Sequence, residues 1–262
     1  MTAAAFFDLD RTLMAGSSAY HFGRAMYKAG HLSRGQIVRD AIEQVRFRLQ
    51  GASDAAVNQL LARVQEGIKG HRVADLTRMT PDMLAGILPR VYPQMLDVVR
   101  SHQDIGRPCY IATAASQPAA EKLSQALVME GAIGTRWETD DGVYTGRLEG
   151  PFAYGEGKAS ALREFATEHD IDLEQSWAYT DAASDLPMLE AVGHPVAVNP
   201  DAGLAEVARE RGWEVLRFDK LGERLRVFGA VMAAAAVGGS GSWLAARRRA
   251  RAQRGRLRRP CR

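Results

Sequence analysis

Between residues 91 and 218, short apolar runs alternate with longer segments of helical periodicity. Such alternation is typical of a mostly parallel sheet with helices on both faces, because each connection between parallel strands has to cross back over the sheet. We therefore predict an α/β fold, a doubly wound Rossmann-like sheet. Ligands of such sheets bind beyond the carboxyl ends of the strands, so the polar motifs described below are expected to lie together at that edge of the sheet.

The first strand is expected at the N-terminus, where an apolar run over 3–7 stops at acidic residues. A hairpin is expected over 135–149, since Asp141-Gly142 is a typical two-residue turn. The other predicted strands are 109–113, 177–180, 195–198 and 214–218, and the predicted helices are 95–102, 118–129, 158–168, 186–191 and 202–211.

A helical insertion is expected between the first strand and the rest of the sheet. Residues 17–78 show helical spacing of apolar residues, with Ser33 and Ser53 as N-cap candidates. The predicted domains are a core of 1–14 and 91–220, an inserted helical cap of 15–90, and a tail of 221–262. Arg46, Arg48 and Arg72 in the cap are candidates for binding an anionic substrate, but the sequence favours an exposed helix surface for each.

Asp8 and Asp10 give the strongest chemical signal, because an apolar strand delivers both carboxylates into the loop beyond its end. Two close carboxylates repel, so one pKa rises unless a cation intervenes. Mg²⁺ would compensate this negative charge, since it binds a few carboxylates together with substrate phosphate. A polar loop after a strand is the alternative for this pair alone.

Three weaker signals follow at later strand ends. Thr113 precedes a helix start, where a hydroxyl and main-chain N–H groups suit a phosphate oxygen, but a helix-capping role is the simpler reading. Lys158 starts a helix, where the dipole disfavours a cation, so it is either recruited to an anion or simply exposed. Asp181 ends a strand, and Asp185 is either a site carboxylate or a helix N-cap.

Together, these four motifs resemble those of the haloacid dehalogenase-like hydrolases, and within them the subgroup that includes phosphoserine phosphatase. The resemblance spans about 4–218 and includes the run Val198-Asn199-Pro200-Asp201. It places a cap where the helical insertion lies. It implies a magnesium-dependent phosphomonoester hydrolase that works through an aspartyl phosphate on a small phosphorylated metabolite, one similar to phosphoserine.

The resemblance also implies roles for individual residues. Asp8 would be the nucleophile, Asp10 the acid and base, and Thr12 would help to hold Asp10. The remaining implied groups are Thr113, Ala114, Lys158 and Ser184 for the substrate phosphate, and Asp8, Asp10 (through its main-chain carbonyl), Asp181 and Asp185 for Mg²⁺.

Departures from the subgroup bear on the substrate and on rival functions. No carboxylate lies between Asp10 and Asp40, whereas phosphoserine phosphatases carry one there to read the ammonium group. Thr180 and Ala182 stand where the family often has glycine and a small polar residue. The rivals are a phosphotransferase using the same site and a non-catalytic, membrane-associated protein with the same fold.

The C-terminal segment accounts for the basic net charge. Nine arginines and no acidic residue lie in 247–262, and the rest of the chain has 25 basic and 31 acidic residues. The uncharged stretch 227–246 has the length of a membrane span but is rich in Ala and Gly, so a surface helix, a span and a soluble appendage all stay open. We expect a cytoplasmic enzyme, with a membrane association through 227–262 as one option, and no specific nucleic-acid partner. Two cysteines and no secretory signal agree with that compartment.

Overall fold

The computed structural model describes residues 1–32 and 54–218, and those up to Leu216 belong to one compact α/β unit. Six parallel strands make the main sheet in the order β3-β2-β1-β6-β7-β8, and β4 and β5 form a separate antiparallel hairpin. The strands are β1 (Ala5–Asp8), β2 (Cys109–Ser116), β3 (Gly131–Thr135), β4 (Trp137–Asp140), β5 (Val143–Leu148), β6 (Trp177–Thr180), β7 (His194–Val198) and β8 (Glu214–Leu216).

Helices cover both faces of this sheet, as the alternating pattern predicts. Short 3-10 helices occur at Leu88–Arg90, Leu173–Gln175 and Ala183–Asp185. The described α-helices are α1 (Ser18–Lys28), α2 (Asp54–Ile68), α3 (Val73–Arg78), α4 (Thr80–Ile87), α5 (Pro93–Gln103), α6 (Gln117–Ala126), α7 (Glu156–Glu168), α8 (Leu186–Glu190) and α9 (Ala202–Arg211).

Strand β1 lies at the centre of the sheet and is buried over its whole length. Its Phe6 packs into the main core with Leu162 of α7, while Phe7 on the other face stacks on Tyr179 at 4.5 Å. A continuous apolar run is what a parallel strand covered on both faces requires. The prediction of an N-terminal buried strand is therefore confirmed.

Strand β3 is the element that the sequence did not predict. Its residues are Gly-Ala-Ile-Gly-Thr, which lack the β-branched and aromatic pattern of most strands. Gly134 is required by close packing, because a Cβ there would lie 2.9 Å from the carbonyl oxygen of Ala115 and from the main chain of Gln117. The strand is specified by its neighbours and carries little signal of its own.

Helices α1 to α4 lie between β1 and α5, in the region predicted as an inserted cap. The two ends of this insertion meet: Met14 forms an isolated bridge with Val91, and the Ala15 N–H donates to the Arg90 carbonyl at 2.8 Å. Ala25, Met26 and Met79 form a small apolar cluster inside the insertion. The boundary 15–90 agrees with this crossing point and stays a prediction, as do the other two domain boundaries.

The β4–β5 hairpin packs against the inserted helices. Trp137 and Tyr144 are buried with Ile68, and the Tyr144 N–H donates to the His71 carbonyl at 2.9 Å. Arg72 is exposed and bridges to Val143 in the hairpin. The hairpin therefore ties the core to the insertion.

Several predicted features lie outside the described residues: Ser33, Arg46, Arg48, Ser53, the apolar stretch 227–246 and the arginine-rich tail. Within 1–32 and 54–218, no helix is both long enough and apolar enough to cross a membrane.

Candidate active site

The predicted motifs converge at the carboxyl ends of β1, β2 and β6. Asp8 is the last residue of β1, and it pairs in register with Ala112 of β2, beside Thr113. Phe7 pairs with Tyr179 of β6, which brings Asp181 to the same edge of the sheet. The edge where these strands end therefore collects the carboxylates, as the topology predicts.

Lys158 lies at the centre of this group and is almost fully buried, with 3% of its side chain exposed. Its Nζ donates to Asp8 Oδ1 and to Asp185 Oδ2, both at 2.7 Å. The alternative of an exposed lysine is therefore wrong. A lysine in the first turn of α7 works against the helix dipole, and these two carboxylates supply the compensation.

Asp185 occupies the N-cap position of α8 without capping it. Its side chain makes no hydrogen bond to the helix, and Oδ2 instead accepts from Lys158 and from the Thr180 hydroxyl at 2.9 Å. The capping alternative is wrong for this residue. Thr180, which departs from the family pattern, gains a role in orienting Asp185.

Asp10 faces the start of the inserted helices. Its Oδ1 accepts from the Ser18 N–H at 2.7 Å, and its Oδ2 accepts from the Ser17 hydroxyl at 3.2 Å. The N-terminus of α1 thus holds this carboxylate, as helix N-termini favour anions. Thr12 was expected to hold Asp10, but its buried hydroxyl makes no hydrogen bond in the described residues.

Arg11 is a second cation at the site, and the sequence motifs did not identify it. Its Nε lies 3.2 Å from Asp181 Oδ2. The contact has ion-pair distance without hydrogen-bond geometry, so Asp181 Oδ2 is a buried oxygen with no hydrogen bond. Arg11 has a positive φ of 67°, a conformation that costs free energy in any residue except glycine.

The charges at the site are unbalanced toward the negative. Burial raises the pKa of Asp8, and the carboxylates of Asp185 and Asp181 raise it further against the opposing effect of Lys158. Burial likewise raises the pKa of Asp181 to about 7, although Arg11 opposes the shift. Burial lowers the pKa of Lys158, but Asp185 and Asp8 outweigh it and raise that pKa overall, so the lysine stays charged.

The site contains carboxylate oxygens without hydrogen-bond partners, and such oxygens are suited to bind a divalent cation. Asp181 Oδ2 and Asp185 Oδ1 are buried without hydrogen bonds, and oxygen ligands of this kind are those that Mg²⁺ prefers. In the described residues, no three acidic, histidine or cysteine side chains surround a common point, and the carboxylates are instead paired with Lys158 and Arg11. The donor set therefore fits the ion in chemistry, and the carboxylates would have to turn toward it.

The predicted phosphate-binding residues lie around the same edge. Thr113 is buried, and its hydroxyl accepts from the Ala115 N–H at 3.3 Å instead of capping α6. The Ala114 carbonyl accepts from the Thr135 hydroxyl at 2.9 Å. Ser184 is half-buried between Asp181 and Asp185. Thr113 and Ala114 directly follow Ala112, the register partner of Asp8, and Ser184 lies in the 3-10 helix that ends at Asp185.

Sequence reasoning missed Arg11, Ser17, Ser18 and the contact of Thr180. The signal for Arg11 was its position directly after the two motif carboxylates, and the signal for Ser17 and Ser18 was a serine pair at the start of a helix. Neither signal specifies a partner, because which carboxylate each residue meets depends on the turn between β1 and α1.

A small cavity lies between the inserted helices and the start of α6. Its volume is about 20 Å³, and Phe22, Met79, Met83, Ser116 and Tyr144 are among its lining residues. That volume holds roughly one water molecule, so it does not accommodate the leaving group of a substrate.

Comparison with known proteins places this geometry in a family. The model of the haloacid dehalogenase-like hydrolase family matches residues 5–190. A Mycobacterium tuberculosis protein named phosphoserine phosphatase SerB1 is 36% identical over 256 residues, covering 96% of this chain and 82% of the relative. A Neisseria meningitidis protein named histidinol-phosphatase is 30% identical over 231 residues, covering 83% of this chain and all of the relative.

Solved structures share the fold. A Bordetella pertussis protein of unknown function superposes with a TM-score of 0.71 at 28% identity, covering 82% of this chain and 99% of its own. A phosphoserine phosphatase in its apo form superposes with a TM-score of 0.59 at 19% identity, covering 86% of this chain and 98% of its own. Since the two relatives above carry names that refer to different substrates, similarity leaves the substrate of this chain open.

Proposed function

This chain belongs to the haloacid dehalogenase-like hydrolases, and on that premise we propose that it hydrolyses phosphate monoesters with Mg²⁺ through an aspartyl phosphate on Asp8. The names of the two relatives described above, both phosphatases, support a phosphatase function. The observation that supports the chemistry most is the convergence of Asp8, Lys158, Asp181 and Asp185 at one edge of the sheet.

In the first half-reaction, a carboxylate oxygen of Asp8 attacks phosphorus and the ester P–O bond breaks. Asp10 gives its proton to the departing alkoxide, so the alcohol leaves neutral. The N-terminus of α1 holds the Asp10 carboxyl group through Ser17 and Ser18. This link fixes the general acid on the side of the inserted helices, where the leaving group would lie.

In the second half-reaction, water attacks the phosphorus of the aspartyl phosphate. Asp10, now a carboxylate, accepts a proton from that water, the P–O bond to Asp8 breaks, and inorganic phosphate is released. Asp8 returns as a carboxylate beside Lys158. Both half-reactions use the same acid and base, so the proton count closes over one turnover.

Lys158, Thr113, Ala114 and Ser184 are assigned to the phosphoryl oxygens. Phosphoryl transfer depends mainly on positioning and on neutralising charge on these oxygens. The Lys158 ammonium lies 2.7 Å from the proposed nucleophile, so it can hold Asp8 and at the same time donate a hydrogen bond to an incoming phosphoryl group. Thr180 keeps Asp185 in place on the far side of the lysine.

A magnesium ion would be held by Asp8, Asp181 and the main-chain carbonyl of Asp10, with Asp185 nearby. When bound, it would neutralise the carboxylates and the substrate phosphate and polarise the phosphoryl oxygens. The two buried oxygens without hydrogen bonds support this assignment.

A chromogenic phosphate ester tests the proposal directly. We expect p-nitrophenyl phosphate to be hydrolysed in Mg²⁺ and not after chelation with EDTA, and we expect Asp8→Asn to lose all measurable turnover. The matched control is Asp97→Asn, an exposed aspartate paired with Arg100 on α5, which should keep full activity. Equal turnover with and without divalent ions, or an active Asp8→Asn enzyme, would refute the proposal.

A further inference from the structure

His21 is a buried polar residue that the proposed chemistry does not use. It lies on α1, one turn after Ser18, whose N–H holds Asp10. His21 therefore lies within one helical turn of the end of α1 that holds Asp10. Gly86 of α4 packs directly against the ring, and a Cβ at that position would clash with His21 Nδ1.

The imidazole of His21 lacks a hydrogen-bond partner among the described residues. Only 5% of the surface of His21 is exposed. Its ring makes an edge-to-face contact with the ring of Tyr20, with 5.2 Å between the ring centroids. A neutral imidazole offers one hydrogen-bond donor and one acceptor, and neither is used by another described residue. Such a group next to a general acid is suited to a partner that arrives with the substrate.

The charge around His21 is positive. Arg90 donates from Nη1 to the Gly86 carbonyl at 2.8 Å, and Gly86 is the residue against the imidazole. Arg24 lies one turn beyond His21 on α1. Burial lowers the pKa of His21, and the charges of Arg90 and Arg24 lower it further, with Asp10 as the opposing carboxylate.

We propose that His21, Arg24 and Arg90 form the subsite for the leaving group, and that the substrate is a phosphate monoester whose alcohol carries a second anionic group. This inference rests on the proposed function, because it places the alcohol beside Asp10. Arg24 and Arg90 are exposed, so either guanidinium can turn toward a bound anion without breaking a buried contact. His21 donates or accepts the neutral hydrogen bond.

A leaving group with only an ammonium charge would be disfavoured at this subsite. Reading an ammonium group needs a carboxylate, and no acidic residue lies between Asp10 and Asp40 in the sequence. Among the described residues, Asp82 pairs with Lys28 at 2.6 Å and Asp75 pairs with Arg78 at 3.0 Å, so these carboxylates of the insertion already have partners. The cationic groups around His21 would repel a positive charge.

Three phosphate esters of two-carbon alcohols test this subsite. Phosphoglycolate carries a carboxylate, 2-hydroxyethyl phosphate carries a neutral hydroxyl, and phosphoethanolamine carries an ammonium group. A charge-assisted hydrogen bond contributes about 1.5–3 kcal/mol, so we expect kcat/KM to fall at least about tenfold from the first ester to the second. Phosphoethanolamine should be the poorest of the three.

Substitutions of Arg24 and Arg90 test whether these residues cause the preference for phosphoglycolate. Arg24→Gln and Arg90→Gln should raise KM for phosphoglycolate about tenfold and change KM for 2-hydroxyethyl phosphate little, because only the charged contact is lost. The control is Arg100→Gln, an exposed arginine on α5 paired with Asp97, which should leave all three substrates unchanged. Equal kcat/KM for the three esters, or a preference for phosphoethanolamine, would overturn the inference.

A binding measurement separates this inference from the proposed function. Calorimetry on the Asp8→Asn protein with Mg²⁺ needs no turnover, and we expect it to show phosphoglycolate binding at least about tenfold more tightly than phosphoethanolamine. If p-nitrophenyl phosphate is not hydrolysed by the unaltered enzyme, the proposed function fails, and this affinity order still decides the subsite. An equal or reversed order would rule the subsite out.

Discussion

At the scale of single residues, one buried cation holds the candidate nucleophile in place. Lys158 reaches both Asp8 and Asp185, so its side chain links α7 to the ends of β1 and β6. Its position after a strand-helix turn was visible in the sequence, but its burial was not. Whether a lysine at a helix start meets solvent or carboxylates depends on which strand ends lie opposite, and only the folded sheet determines that.

Removing Lys158 should cost stability as well as activity. Lys158→Met keeps the length of the side chain but leaves Asp8 and Asp185 buried without their common partner, so we expect unfolding to become easier by about 3–5 kcal/mol. The matched control is Lys122→Met, an exposed lysine on α6, which should change stability by less than about 0.5 kcal/mol. Urea unfolding in EDTA measures both, and equal effects of the two variants would contradict this account.

His102 takes no part in the proposed chemistry and should control part of the pH dependence of stability. Its Nδ1 accepts from Arg107 at 2.6 Å, so the neutral ring carries its proton on Nε2, facing the Tyr179 hydroxyl at 2.7 Å. Burial, with help from Arg107, lowers its pKa from 6.5 to about 4. The folded state therefore binds fewer protons than the unfolded chain between these two pH values.

Stability should consequently rise with pH from about 4 to 6.5, by roughly 3 kcal/mol at most from this group, and be lost as the solution is acidified. His102→Gln should remove that part of the slope, while Tyr179→Phe should keep most of it, because burial and Arg107 remain. Chemical unfolding at several pH values measures the slope. If the slope of stability against pH is unchanged in His102→Gln, other groups are responsible for it.

At the scale of elements, the turns that start helices decide where the site residues point. The N-cap of helix α7 is Gly155, which has a positive φ of 55°, and Gly157 packs so closely on the Phe152 carbonyl that a Cβ could not fit. The sequence predicted the turn at Asp141-Gly142 and helix α9 at the residues where they occur, and it predicted α7 from Lys158, two residues after its observed start. It missed β3, because a glycine-containing strand is specified by the packing of its neighbours on β2 and α6.

Gly157→Ala should therefore displace the first turn of α7 together with Lys158. We expect a loss of more than about 1 kcal/mol in stability, as for other overpacked positions, and a large fall in kcat. The control is Gly23→Ala in the middle of α1, where a Cβ would meet no atom within 4 Å. That change should stabilise the protein by about 0.5–1 kcal/mol, since alanine favours helix. The account fails at this element if both variants have the same effect.

At the scale of the whole molecule, the topology assembles the site and the insertion borders it. The alternating pattern predicts a mostly parallel sheet, whose strands all end at one edge, so the sequence predicted that Asp8, Thr113 and Asp181 share that edge. It could not predict that the hairpin would pack on the inserted helices, where Trp137 and Tyr144 meet Ile68. Contacts between separately predicted elements depend on side-chain shape, which periodicity does not describe.

Divalent ions should stabilise the folded molecule as a whole. An ion that binds only the native state adds about 2.7 kcal/mol at a concentration a hundred times its Kd. We expect Mg²⁺ to raise the melting temperature relative to EDTA, and Asp181→Asn to remove most of that rise, because it removes one of the proposed ligands. Calorimetric unfolding with and without Mg²⁺ measures this, and an equal rise in the Asp181→Asn protein would exclude Asp181 as a ligand.

The most direct test of the account is to trap the covalent intermediate. Enzyme mixed with a phosphate ester and Mg²⁺, then quenched in acid and digested, should yield a peptide carrying one additional phosphoryl group on Asp8. That group should be released by hydroxylamine, as an acyl phosphate is, and it should be absent from Asp8→Asn. A phosphoryl group on another residue, or turnover without any labelled peptide, would contradict the assignment of Asp8 as the nucleophile.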